Sequence, residues 1–280
     1  MSQPATDFAF TDRDFRQVVQ LIRARAGIDL ADSKRHMVYG RLGRRLRALG
    51  LATFADYLAL LDDPDSPEWE AFTNSLTTNL TAFYREPHHF EILAQHLRRL
   101  RGRERYTIWC CAASTGEEPY TIAMTAVEVF DSFLAPVRVL ATDLDTGVLA
   151  TASAGVYTED RVATLDEAQR RRFFLRGNGP NAGRVKVRAP LQQLITFRPL
   201  NLLAPDWKVR GPLDAIFCRN VMIYFDKPTQ RQILQRMRPL LRPDGLLFAG
   251  HSESFLHSAD LFSSIGRTVY RPAAVGQVAA

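Results

Sequence analysis

From about residue 104 onward, short apolar runs alternate with segments of helical length, and this alternation constrains the fold more than any other feature of the chain. Residues 105–112, 137–143, 213–218 and 246–250 read as strands, and 119–130, 145–154 and 228–241 as the helices between them. Strands joined through helices need right-handed crossovers, which predicts a parallel sheet with helices on both faces. Residues 155–200 break the rhythm. An amphipathic segment near 166–175, the turn R-G-N-G-P-N-A-G at 176–183 and the alternating R-V-K-V-R at 184–188 predict a β-rich insertion over about 156–198.

The first part of the chain shows only helical spacing. Phe15, Val18, Val19, Ile22 and Ala26 share one face, Thr11 and Asp14 stand where a capping box would be, and Gly27 is a stop signal. A second helix is expected from Asp32 or Ser33, with Met37, Val38, Leu42, Leu46 and Leu49 inward. Its other face carries Lys34, Arg35, Arg41, Arg44, Arg45 and Arg47, with no acid between Ser33 and Ala55. A third helix is expected over 53–61, and a fourth through Leu76 with Ser66 as cap and Pro67 at its first position. The expected division is an all-helical N-terminal domain over 1–76 and an α/β domain over 77–280, since a single core stops growing at roughly 250–300 residues.

The chain has 36 Lys+Arg against 30 Asp+Glu, a net charge of +6 that calls for an acidic partner. No apolar stretch approaches the roughly 18 residues needed to span a bilayer, and the opening M-S-Q-P-A-T-D-F-A-F has neither a basic nor an apolar leader region. A cytoplasmic protein without membrane insertion is expected. Cys110, Cys111 and Cys218 lie in apolar strands without metal-ligand spacing, so buried thiols are expected. Adjacent His88 and His89 are expected to point to different faces, and no metal site is predicted.

The segment W-C-C-A-A-S-T-G-E-E-P-Y at 109–120 leaves a strand, turns at Gly116 and begins a helix. Ligands of open α/β sheets bind outside the carboxyl ends of strands, so this turn borders the expected pocket. It has one glycine, and two carboxylates stand where a pyrophosphate would need bare N–H groups, which disfavours a dinucleotide or a nucleoside triphosphate. Glu117 and Glu118 suit a cationic ligand, and one of the two should face it. Asp143, ending the next strand, occupies the position that binds ribose hydroxyls. A nucleoside pocket with acidic neighbours describes S-adenosylmethionine, whose amino and sulfonium groups are cationic.

Seven motifs carry a resemblance to a known family: T-N-L-T-A-F-Y-R-E at 78–86, A-A-S-T-G-E-E-P-Y at 112–120, A-T-D-L-D-T at 141–146, R-G-N-G-P-N-A-G-R-V-K-V-R at 176–188, N-L-L at 201–203, F-C-R-N-V-M-I-Y-F at 217–225 and P-D-G-L-L-F-A-G-H-S-E-S at 243–254. The chain resembles the CheR family of chemotaxis receptor methyltransferases over nearly its whole length. The resemblance implies a class I methyltransferase fold, that is, a Rossmann-like α/β domain with a small β subdomain, beside the all-α N-terminal domain. It implies methyl transfer from S-adenosylmethionine to glutamate side chains of chemoreceptors, leaving S-adenosylhomocysteine and glutamate methyl esters.

By the same resemblance the cofactor contacts fall on Asn79, Thr81, Arg85, Glu117, Asp143, Asn201, Leu202, Arg219 and Asn220, and Arg85 and Tyr224 are the candidates to orient the substrate carboxylate. The implied partner is the receptor's cytoplasmic coiled coil, docked by the basic helix 33–49, with a receptor C-terminal peptide on the β subdomain, held by strand addition along 185–188. The expected enzyme is a monomer that binds no nucleic acid. Two other readings stand beside it: an RNA methyltransferase, motivated by 32 arginines among the 36 basic residues, and an adaptor that binds S-adenosylmethionine without turnover.

Overall fold

The computed structural model describes residues 8–274, so residues 1–7 of the opening stretch read for a leader lie outside the described residues. The chain divides into two compact units, Met1–Thr78 and Asn79–Ala280.

The first unit contains α1 (Asp12–Ala26), α2 (Arg35–Leu49, after a 3-10 turn over Asp32–Lys34), α3 (Phe54–Ala59) and α4 (Glu68–Leu76). The capping box forms: Asp14 N donates to the Thr11 hydroxyl and Thr11 N to the Asp14 carboxylate, while Gly27, at φ 69°, ends α1. Val18, Ile22, Val38, Leu42, Leu46 and Phe72 are fully buried, the apolar stripes that the spacing predicts. Leu49 departs from that pattern. It sits at the end of α2, next to the Gly50 cap, and is 41% exposed.

Most of the basic face of α2 is engaged inside this unit, with Arg47 lying over the Phe8 ring at 6.0 Å. Arg35 pairs with Asp12 at 2.8 Å, and Arg41 donates to the Ser75 and Thr77 carbonyls. Arg45 grips Glu68 through two hydrogen bonds of 2.8 and 2.7 Å, and the Tyr57 hydroxyl donates to the same carboxylate at 2.9 Å. Lys34 and Arg44 remain exposed.

The second unit contains strands β1 (Tyr106–Cys110), β2 (Val137–Asp143), β3 (Val156–Thr158), β4 (Phe174–Arg176), β5 (Arg184–Val187), β6 (Ile195–Pro199), β7 (Leu213–Cys218), β8 (Leu241–Ala249), β9 (Phe262–Gly266) and β10 (Val269–Pro272). Its helices are α5 (His88–Arg99), α6 (Glu117–Phe130), α7 (Thr146–Ala154), α8 (Glu167–Phe173), α9 (Ala189–Gln192) and α10 (Lys227–Met237). Seven strands form one sheet in the order β6-β2-β1-β7-β8-β10-β9. The first five are parallel, and β10 runs antiparallel to both β8 and β9. This is a mixed, Rossmann-like sheet rather than an all-parallel one; the closing hairpin is too short and polar to show as an apolar run.

Two clusters cover the two faces. Ile108 and Cys110 of β1 pack with α5 and α6, while Trp109 packs with α10 on the opposite side. A strand buried on both faces must read as a continuous apolar run, as Y-T-I-W-C nearly does. The one buried polar group on Trp109 is satisfied, its indole N–H donating to the Thr142 hydroxyl at 2.9 Å.

The strands β3, β5 and β4 form a separate three-stranded sheet in that order. Strand β6, within the 156–198 span expected to be inserted, belongs instead to the main sheet, with Val139 opposite Ile195. A second correction concerns strand addition. β5 is the central strand, its hydrogen-bonding edges used by β3 and β4, so it has no edge to offer a peptide.

Candidate active site at the carboxyl edge of the sheet

The strand order reverses about β1: the chain passes to β2 and β6 on one side, then returns to β7 and β8 on the other. Crossovers diverging from β1 leave a crevice at its carboxyl end, where α/β sheets bind ligands. The loops after β1, β2, β6, β7 and β8 all border this edge.

The loop after β1 turns at Gly116, which has φ 100°. A Cβ there would lie 2.8 Å from both Ala152 Cβ and the Tyr157 hydroxyl, so only glycine fits without displacement. Within the loop, Ser114 N donates to Asp143 Oδ2 at 2.8 Å, and Asp145 N donates to Asp143 Oδ1 at 3.0 Å. The Ser114 hydroxyl donates to the Asn79 carbonyl at 3.0 Å, and the Asn79 amide donates to Asp145 Oδ2 at 2.8 Å. Asn79, Ser114, Asp143 and Asp145 thus form one hydrogen-bonded cluster at the end of β2.

Asp143 is 8% exposed, and burial raises its carboxyl pKa despite the backbone N–H groups that favour the anion. A carboxylate offers about four acceptor sites, so capacity remains for hydroxyl donors such as those of a ribose. The residues therefore fit the nucleoside part of S-adenosylmethionine.

The two glutamates at the start of α6 diverge, as expected for consecutive helical residues. Glu117 is fully buried and accepts from the Thr115 hydroxyl at 2.6 Å and from the Arg161 guanidinium, which also reaches the Thr81 carbonyl at 3.1 Å. Glu118 turns the other way, accepting from Arg219 and from the Cys110 thiol. Cys110, Cys111 and Cys218 are all buried free thiols, and burial raises the thiol pKa of Cys110 and Cys111.

Segment 79–86 bends through positive φ at Tyr84 (51°) and Glu86 (57°), a conformation costly for these residues and held by tertiary bonds. Tyr84 N donates to the Thr121 hydroxyl, and Tyr84 Oη accepts from the Gln169 amide at 3.1 Å. Arg85 donates to the Leu80 carbonyl at 2.7 Å, while its own carbonyl accepts from Arg219 at 2.6 Å. The Arg219 side chain is fully buried among Glu118, the Arg85 carbonyl and Glu86, 3.3 Å away. Burial pushes the Glu86 carboxyl up, but Arg219 and His251 outweigh it and leave its pKa lowered.

The His88 and His89 rings lie 4.2 Å apart instead of pointing to different faces, because a helical step separates their Cβ atoms but not side chains that lean together. Their nitrogens and the Glu86 carboxylate fall within 4.8 Å of one another. Protein partners hold this group. Arg219 supplies the positive charge at Glu86, and His89 Nε2 donates to the Arg267 carbonyl at 2.9 Å. Burial lowers the His89 pKa to about 4.

After β6, Leu200 N donates to the Asp143 carbonyl at 2.9 Å, which brings the next residue, Asn201, beside the Asp143 cluster. Asn201 Oδ1 accepts from Leu203 N at 2.9 Å. Leu202 is buried in the core, and its carbonyl accepts from the Trp207 indole, on which Arg236 stacks at 3.8 Å. After β7 come Asn220, at φ 57°, and Tyr224, half-buried at the end of the 3-10 turn Met222–Tyr224.

Sequence reasoning missed Ser114, Asp145, Tyr157, Arg161 and Glu253. Asp145 carried a signal, since D-T-G before a helical stretch is a cap, and its side chain does accept from Gly147 N and Val148 N. Ser114 and Glu253 stand within the motifs at 112–120 and 243–254, but their partners lie far along the chain and nothing local names them; Tyr157 and Arg161 carried no signal.

Residues 79–271 match the family described as "CheR methyltransferase, SAM binding domain", and residues 13–77 match "CheR methyltransferase, all-alpha domain". Among curated proteins, "Chemotaxis protein methyltransferase 2" of Pseudomonas aeruginosa is 55% identical over 268 residues, 95% of either chain. The "Chemotaxis protein methyltransferase" of Escherichia coli (strain K12) is 56% identical over 94% of this chain and 91% of its own, and that of Klebsiella aerogenes 55% identical over 96% and 93%.

Proposed function

This chain belongs to the CheR family of S-adenosylmethionine-dependent chemotaxis methyltransferases, and from that premise we propose that it methylates glutamate side chains of chemoreceptors, giving methyl esters. The observation that carries this reading is the Asp143 cluster at the topological switch point, with the segment bearing Arg85 bonded into the same edge through Asn79 and Arg219.

When bound, S-adenosylmethionine supplies a methyl group on a cationic sulfonium. Asp143 accepts the ribose hydroxyls, Asn79 and Thr81 line the methionine side, and Glu117 receives its amino group while sharing Arg161. Asn201 reads the adenine edge, with Leu202 behind it. Asn220 borders the cofactor, and Arg219 contributes from beneath by holding Glu118 and the Arg85 carbonyl. Arg85 and Tyr224 donate to the substrate carboxylate. A glutamate side chain, with an ordinary pKa near ~4.3, is already an anion, so no side chain has to take a proton. Alignment of such an anion for in-line attack can supply up to roughly 7–11 kcal/mol of a barrier in well-oriented reactions.

Exposed Lys34, at the end of the 3-10 turn before α2, and Arg44 of α2 belong, on this reading, to the surface that meets the receptor's acidic coiled coil. The receptor tail joins the small sheet at an edge strand, and β4 is the better candidate because Leu175, 47% exposed, offers it an apolar contact.

Tritiated-methyl transfer to receptor-containing membranes tests the reaction. Base-labile label on receptor bands is expected. Alkali-stable label in RNA would replace this reading with an RNA methyltransferase, and cofactor binding without transfer would leave an adaptor.

A further inference from the structure

We infer that Glu253 is a positioning residue for methyl transfer, its carboxylate fixing the loop that carries Asn220 and Tyr224. This rests on the reading of Tyr224 given above. Glu253 is 5% exposed and follows β8, whereas its partners follow the adjacent parallel strand β7. Glu253 Oε1 accepts from Val221 N at 3.0 Å and Met222 N at 2.7 Å; Oε2 accepts from Asn220 N at 2.9 Å and from Gly250 N. Three consecutive N–H groups converging on one point make an anion-binding concavity, and here the anion is a side chain of the same protein.

The start of this loop draws its support from outside. Asn220 adopts φ 57°, the left-handed region, which asparagine enters more readily than other side-chain-bearing residues but still at some cost. The 3-10 turn Met222–Tyr224 that follows has no side-chain cap from its own neighbours. Glu253, 31 residues away from Met222, supplies what a local Ser or Asp would. The two loops also touch without spare room, since a Cβ on Gly250 would lie 2.3 Å from Asn220 Nδ2. Among the described residues Glu253 pairs with no cation. Every bond its carboxylate makes goes to this loop or to its own turn; it anchors the N–H groups that open the turn, while the Gln230 amide, donating to the Met222 and Phe225 carbonyls at 2.9 Å each, holds the end from which Tyr224 projects.

The test is E253Q, alone and with Y224F, measured for kcat, KM, cofactor Kd and amide hydrogen exchange. Glutamine has one acceptor oxygen and an NH2 group that opposes the N–H donors, so at least two of the four lose their partner. Misplacement by about an ångström can cost on the order of 100-fold in rate. E253Q is expected to lose roughly 10–100-fold in kcat, with cofactor Kd moved less than about fivefold and faster exchange at residues 220–222. On the Y224F background the same substitution should cost less than about threefold, because the group it positions is gone.

Parental kcat and exchange in E253Q would overturn the inference, as would losses that multiply fully with those of Y224F. A parental kcat in Y224F would overturn the Tyr224 reading instead. The positioning role is then decided by E253Q alone, slowed turnover with faster exchange supporting it and parental values refuting it. If E253Q fails to fold, E253D, which keeps the charge but shortens the reach, is measured in the same way.

Discussion

Arg219 and Glu118, separated by 101 residues, form a buried ion pair beneath the carboxyl edge of the sheet, joining the loop after β7 to the first turn of α6. The pair ties the end of one strand to the helix that follows another, and Arg219 also holds the Arg85 carbonyl. One guanidinium thus links three of the segments that carry the proposed chemistry.

Breaking that pair from one side leaves a carboxylate buried without its counter-charge. Arg219→Met should lower the stability of the second unit by about 3–5 kcal/mol, the usual cost of an orphaned buried charge. Urea unfolding followed by fluorescence reads this directly. A loss below about 1 kcal/mol would mean that Glu118 finds water or another donor.

Asp143→Ala removes the acceptors at the end of β2. A hydrogen bond to a charged group contributes about 1.5–3 kcal/mol, so cofactor Kd should rise roughly 10–150-fold. Ser114 and Asp145 also lose their shared partner, so Asp143→Asn, which keeps one acceptor, should fall between the two. Titration calorimetry showing parental affinity in a folded Asp143→Ala protein would remove this residue from the site.

Charge reversal on α2 has to spare Arg45, whose bidentate bond to Glu68 supports the first unit. Lys34→Glu combined with Arg44→Glu should raise the receptor KM and leave cofactor affinity alone. The effect should shrink with added salt, since exposed charges are screened beyond about 8–10 Å at physiological ionic strength. Equal receptor kinetics at low salt would make this face an ordinary solvated surface.

His89 makes stability depend on pH. Its pKa of about 4 in the folded protein lies below the ordinary histidine value of about 6.5, through burial first and the nearby Arg219 second. Between these values the unfolded chain holds more protons, so stability rises with pH and is lost as pH falls from about 6.5 through about 4. Glu86 and His88 face the same ring, so the comparison is with His89→Gln. The parent should lose about 1–3 kcal/mol more than the variant over that window in urea titrations. Parallel pH curves for the two proteins would show that His89 does not carry the dependence.

Much of the element pattern is legible locally. Strands β2 and β7 occupy 137–143 and 213–218, the bounds their apolar runs predict, and the Thr11–Asp14 capping box forms as its spacing requires. The candidate residues sort themselves unevenly. Asp143 could be placed at a strand end from sequence, but that Glu117 would meet Arg161 and Glu118 would meet Arg219 could not, because both acids begin the same helix and differ only in direction. The β9–β10 hairpin and the central place of β5 were equally hidden, since short polar strands have weak periodicity and pairing order has none.

Hydrophobic period and cap chemistry are properties of a few neighbouring residues, so the sequence by itself determined most of the helices, the central strands of the main sheet, and that strands such as β1 and β7 are buried on both faces. The motif residues likewise marked the turns on which the site is built. Tertiary structure alone decided what each buried charge is bonded to: Glu117 with Arg161 across 44 residues, Glu118 with Arg219 across 101, and Glu253 with the loop after β7. The reason is physical. A buried carboxylate must take whatever donors the sheet brings to its edge, and strand order, which no local pattern encodes, chooses them.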